Sequence, residues 1–245
     1  MIRKMLTTAA AAAALLLPFS LQANEGALQL DHARVDVRDA ESLQAGARTF
    51  VNYCLNCHSA NVVRYNRLKD LGLTEEQIKD NLLFTAEKVG EMMTVAMPRK
   101  DAKEWFGAAP PDLSVIARTR GADWLYTYLR SFYRDPSTIT GWNNLVFERV
   151  AMPHVLWKLQ GVQQAVFKTE QNGEKVFERF ELARPGELNA EEYDSVVRDL
   201  VNFLDYIAEP IKVERQQLGL RVIAFLLVFL LIAYMLKKEI WKDVH

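Results

Sequence analysis

The chain has 245 residues, half of them hydrophobic and a quarter charged, which is material for a sizeable core and not the composition of a disordered chain. Its formal net charge is -1, from 30 basic and 31 acidic residues, and becomes slightly more acidic if the first residues are removed. That balance excludes the basic footprint of a nucleic-acid-binding protein.

At the start, Arg3 and Lys4 precede an alanine-rich apolar run from Met5 to Leu21, and small Ala23 follows. This pattern predicts a secretory signal peptide over residues 1–23, and its apolar part is short for a membrane span of roughly 20 residues. Next, Leu43, Ala47, Phe50 and Val51 recur at helical spacing on the face that leads to Cys54, predicting a helix that delivers that cysteine. A capping-box pattern, Thr74 with Gln77, opens a second helix whose apolar face is expected to continue through Ile78, Leu82, Leu83, Ala86 and Val89. Pro110-Pro111-Asp112 breaks the chain, and Leu113 to Ala117 and Ala122 to Tyr133 read as short helices on either side of Gly121.

Further on, Val166 and Phe167 on one side and Val176, Phe177 and Phe180 on the other flank Asn172-Gly173. That arrangement predicts a β-hairpin over Ala165 to Leu182 with a tight primed turn, and no other sheet is expected. Asn189 with Glu192 caps a last helix in which Tyr193, Val197, Leu200, Leu204 and Ile207 share a face, ending before Pro210. The apolar run Leu218 to Leu236 then has no polar residue between Val222 and Ala233, whereas a soluble helix keeps a polar stripe. It predicts one transmembrane helix, with Arg221 snorkelling to the interface. Lysines and arginines balance on its two flanks, so the exported N-terminus sets the orientation. The expected division is signal peptide 1–23, an exported domain 24–212 outside the cytoplasm, anchor 213–238 and cytoplasmic tail 239–245.

The exported domain carries Cys54-Leu55-Asn56-Cys57-His58, the C-x-x-C-H signature of covalent haem attachment. Each thiol can add to a haem vinyl group, and the adjacent imidazole then stands under the iron as proximal ligand. A thioredoxin-like dithiol would need a βαβ context, which is missing. Structural zinc would need four ligands, but these are the only two cysteines, and His32, His154 and His245 are scattered. A disulfide closing so short a loop would constrain almost no chain. Two methionines compete for the sixth position, in Ala96-Met97-Pro98 and Ala151-Met152-Pro153, and the motif alone does not separate them. His154 is a third candidate, set against by the proline between it and Met152. Met92 and Met93 read as core filler. Methionine opposite histidine leaves the iron no open position, so such a site moves electrons and does no bond chemistry.

Taken together, the sequence resembles the cytochrome c1 family in its short bacterial form over nearly the whole mature chain. The features that carry the resemblance are Cys54 to His58, the run Pro110-Pro111-Asp112-Leu113-Ser114 followed by Arg118 and Arg120, Ala151-Met152-Pro153, and a C-terminal anchor after Ala208-Glu209-Pro210. The resemblance implies a mainly α, cytochrome c-like haem domain with a small β-hairpin and one C-terminal transmembrane helix. It further implies one covalent haem c, with Met152 as sixth ligand, Arg120 paired with a propionate, and Pro110 and Pro111 packed along the haem. Tyr126, Tyr128 and Phe132 are expected in the core, and Trp124 stands where relatives often carry tyrosine. The implied role is a one-electron carrier in the bc1 complex of a bacterial inner membrane. Its partners would be cytochrome b, the Rieske iron-sulfur subunit and a soluble or membrane-bound cytochrome c, with the haem domain in the periplasm. The rival reading is a membrane-tethered c-type cytochrome feeding a terminal oxidase or peroxidase. A thiol or zinc enzyme and a cofactor-free assembly subunit stand further off.

Overall fold

The computed structural model describes residues 29–95, 97–170, 173 and 175–243. The expected signal peptide lies outside them.

Asp39 accepts the Ser42 N–H and caps helix α1 (Ala40–Thr49), which passes directly into a wider π-helical turn, Phe50–Cys54. The chain leaves Cys54 through β1 (Ala60–Arg64) and a 3-10 turn, Tyr65–Leu71. The Thr74/Gln77 capping box forms as expected and opens α2 (Glu75–Asn81). That helix is shorter than the apolar pattern suggests. Leu83, Ala86 and Val89 still pack on the core, but as irregular chain, because the Val89 and Glu91 carbonyls must reach the N–H groups of Asn66 and Tyr65 at 2.7 and 3.1 Å. The chain is thereby aligned for β2 (Met92–Met93), which pairs antiparallel with β1.

After α3 (Arg99–Phe106) come α4 (Ile116–Arg120) and α5 (Ala122–Arg130), divided at Gly121, where φ is +91°. The second of the two was expected to run to Tyr133. It stops at Arg130, because the Asn144 side chain donates to the Tyr128 carbonyl at 2.7 Å and β3 (Phe132–Arg134) pairs with β4 (Trp142–Asn144). A short α6 (Trp157–Gln160) leads into the hairpin of β5 (Gly161–Thr169) and β6 (Lys175–Pro185). The hairpin is longer than expected, and the turn expected at Asn172-Gly173 lies partly outside the described residues. Among the described residues Thr169 and Lys175 form the last pair, and the Gly173 N–H donates to the Glu170 carbonyl, with Gly173 at φ +84°. Asn172 lies outside the described residues. The hairpin is also not alone: three two-stranded antiparallel sheets are present among the described residues.

Helix α7 (Ala190–Ala208) begins with the Asn189/Glu192 capping box and buries Tyr193, Val197, Leu200, Leu204 and Ile207, the face read from the sequence. It packs on α1 through Gly46, where a Cβ would lie 2.0 Å from the Asp199 carbonyl oxygen, so no larger residue allows this approach. Phe50 and Phe203 meet beside it with ring centroids 5.5 Å apart. Helix α8 (Lys212–Ile240) contrasts with all of this. It has 29 residues, about 44 Å at 1.5 Å per residue, and buries none of them against the rest of the protein. It is long and apolar enough to cross a hydrocarbon layer of about 30 Å.

Candidate functional site

The π-helical turn ends at Cys54, whose carbonyl accepts the N–H groups of Cys57 at 3.0 Å and His58 at 2.8 Å. This tight reversal turns Cys54, Cys57 and His58 to one cavity. Laid along the turn is the Pro110–Ser114 run, clasped to the chain after His58. Leu113 N–H donates to the Ser59 carbonyl at 2.8 Å, Asn61 N–H to Asp112 Oδ2 at 2.8 Å and Val62 N–H to Ser114 Oγ at 3.2 Å. Asp112 Oδ1 also accepts the Ser114 N–H at 2.9 Å.

One consequence concerns the imidazole. His58 Nδ1 lies 2.8 Å from the Pro111 carbonyl oxygen. A carbonyl only accepts, so Nδ1 carries the proton and Nε2 keeps its lone pair. This is the outer contact by which a protein orients a metal-binding histidine. Burial pulls the imidazole below its ordinary value, opposed by the Pro111 hydrogen bond and the Asp112 charge, which favours the neutral ring a metal needs.

The cavity has a volume of about 590 Å³, within the range for cofactor sites. Its lining includes Cys54, Cys57, His58, Pro110, Pro111, Arg120 and Met152, together with Leu200 and Leu204 from α7. All seven residues singled out from the sequence therefore meet in one space, although Met152 follows His58 by almost a hundred positions. Met97 and His154 are not among the lining residues. His154 is buried in the aromatic cluster against which Met152 and Tyr128 pack, stacked on Phe132 at 5.0 Å and edge-on to Trp142 at 5.1 Å.

Aromatic packing holds the Met152 side of the cavity. Tyr128 on α5 donates its hydroxyl to Met152 Sδ at 3.4 Å. Its ring stacks on Trp124, centroids 4.9 Å apart and planes 11° from parallel, and meets Phe132 edge-on at 5.0 Å. The exposed Arg120 guanidinium lies over the other end of this ladder, 5.0 Å from the Trp124 ring centroid. Burial drives the Tyr128 phenol well above its ordinary range, so the hydroxyl keeps its proton. Tyr128 was expected only as core, and the positioning roles of Asp112 and Trp124 were not anticipated. A signal was present for two of them: Trp124 and Tyr128 stand four residues apart on one helix, the spacing that puts side chains on one face.

The donor set suits haem c. Two thiols, an imidazole nitrogen and a thioether sulfur border an apolar cavity with a guanidinium at its margin for a carboxylate. It does not suit thiol redox chemistry: burial raises the Cys54 thiol to about 12, and Cys57 is raised as well. Among the described residues, no group of three or more His, Cys, Asp or Glu could hold a metal ion.

Comparison with known proteins agrees. The model of the "Cytochrome C1 family" matches residues 32–165 and 187–244. The chain belongs to the cytochrome c1 family. A cytochrome c1 of Allochromatium vinosum is 49% identical over 234 residues, covering 94% of this chain and 96% of the relative. A protein named ammonia monooxygenase gamma subunit, from Nitrosomonas europaea, is 51% identical over 233 residues, covering 95% and 96%. A cytochrome c1 of Rhodospirillum rubrum is 28% identical over 265 residues, covering 91% of each. Membership in the cytochrome c1 family brings one covalently bound haem c and an electron-carrying role in the bc1 complex, and α8 is the membrane anchor. The family match omits residues 166–186, most of the β5–β6 hairpin.

Proposed function

We propose that Cys54 and Cys57 hold the haem through thioether links, that His58 Nε2 and Met152 Sδ ligate its iron, and that Arg120 pairs with a propionate. Pro110 and Pro111 form the wall along the macrocycle. Haem c bound in this way supplies one reversible electron and no open coordination position. The chain's own contribution is to fix the imidazole through Pro111, to exclude water with Leu200, Leu204 and the aromatic ladder, and to present a cationic margin.

In this reading the protein accepts an electron from the Rieske iron-sulfur subunit and passes it to a soluble or membrane-bound cytochrome c, alongside cytochrome b. Residues 1–23 act as a cleaved signal peptide, residues 24–212 work on the periplasmic side of the inner membrane, residues 213–238 anchor them, and residues 239–245 stay in the cytoplasm. The observation that carries the proposal is the convergence of Cys54, Cys57, His58 and Met152 on one cavity from which Met97 is left out. Met152→Leu is expected to abolish the methionine-to-ferric-iron charge-transfer band of the purified protein, while Met97→Leu keeps it. The reverse pattern overturns the ligand assignment.

A further inference from the structure

We propose that Tyr128 tunes the reduction potential of this centre by donating its hydroxyl hydrogen to Met152 Sδ while that sulfur ligates the iron. The inference rests on the reading of Met152 as sixth ligand. A thioether sulfur has two lone pairs, so one can bind the metal while the other accepts a hydrogen bond. The 3.4 Å contact lies within range for a sulfur acceptor, and Tyr128 lines the same cavity as Met152. The hydroxyl is held in place: the ring is fixed between the Trp124 stack and the Phe132 edge.

The sign follows from electrostatics. A hydroxyl hydrogen aimed at the sulfur draws electron density from it and places the positive end of a dipole near the iron. Both effects disfavour the ferric charge more than the ferrous, so the hydrogen bond raises the potential. Arg120 over Trp124 supports the same ladder from its far end. Tyr128 is thus a positioning residue that acts through Met152.

Tyr128→Phe removes the hydroxyl and keeps the ring. At a fixed electrode potential the ferrous-to-ferric ratio of the haem-loaded full chain is expected to fall about threefold, a shift of about 30 mV at 59 mV per tenfold change for one electron. The methionine-to-iron band should move but persist. Tyr126→Phe is the control, since that ring lies under Arg130, 4.6 Å from its guanidinium, and does not line the cavity. In the unmodified protein, exchange into deuterated water should shift the iron–sulfur stretching vibration in a resonance Raman spectrum. An unchanged potential in Tyr128→Phe, loss of its methionine band, or a vibration insensitive to deuterium overturns the proposal. A methionine band that survives Met152→Leu would instead sink the ligand assignment beneath it, so the two failures are distinguishable.

Discussion

The two walls of the cavity are built by different means. On the cysteine wall, backbone and polar hydrogen bonds do the positioning: the Cys54 carbonyl gathers Cys57 and His58, and Asp112 and Ser114 clasp the proline run to residues 61 and 62. On the methionine wall, Met152 sits in irregular chain, with its sulfur held by Tyr128 and its neighbourhood by Phe132, Trp142 and His154. A wall fixed by hydrogen bonds depends on a few atoms. One fixed by packed rings depends on shape, and tolerates changes that keep the ring.

The largest expected effect breaks the cysteine wall. His58→Ala should abolish the native low-spin spectrum even where the thioether links form, because no other side chain described at that wall supplies a nitrogen ligand. Met152→Leu should be less severe: haem retained, methionine band lost, potential lowered, as read by redox titration. Smaller again is Asp112→Ala, which removes the acceptor for the Asn61 and Ser114 N–H groups. It should destabilise the haem-loaded protein by about 1 kcal/mol in a denaturant titration, the site being partly solvated. No loss at all would mean that the clasp is redundant with the Leu113–Ser59 bond.

The smallest expected effect is a pH dependence on the methionine side. Asp123, on the helix that carries Tyr128, accepts the Ala33 N–H at 2.9 Å and faces His32. The backbone bond is the main cause holding its carboxyl below the ordinary 3.8, with His32 adding to it and desolvation opposing. A depressed folded value means that the stabilisation is present above about pH 4 and is lost as pH falls through the lowered value. Asp123→Asn should therefore flatten that acid limb of the stability curve. A limb of unchanged depth would show that other carboxylates carry it.

The same contrast explains what the sequence revealed. The cysteine wall was legible because Cys54-x-x-Cys57-His58 is a local motif whose chemistry requires adjacent residues. Helix α7 was equally legible, its cap at Asn189 and its buried face both following from local spacing. The uniform apolar run of α8 was readable for the opposite reason, having no polar side at all. Less visible were the strand pairs β1–β2 and β3–β4, because elements so short are set by their partners and not by their own alternation. Helix α5 ends where Asn144 takes the Tyr128 carbonyl, a contact made across 16 positions. Local spacing gave no choice between Met97 and Met152, since both stand in the same Ala-Met-Pro context; of the two, Met152 lines the cavity.

The most direct test of the account is a reduced-minus-oxidised spectrum of the purified full chain, paired with a haem stain after denaturation. The account predicts a low-spin c-type spectrum with a methionine band, and haem that stays with the polypeptide unless Cys54 and Cys57 are both replaced. A polypeptide that is colourless after maturation in a host competent for haem attachment would contradict it.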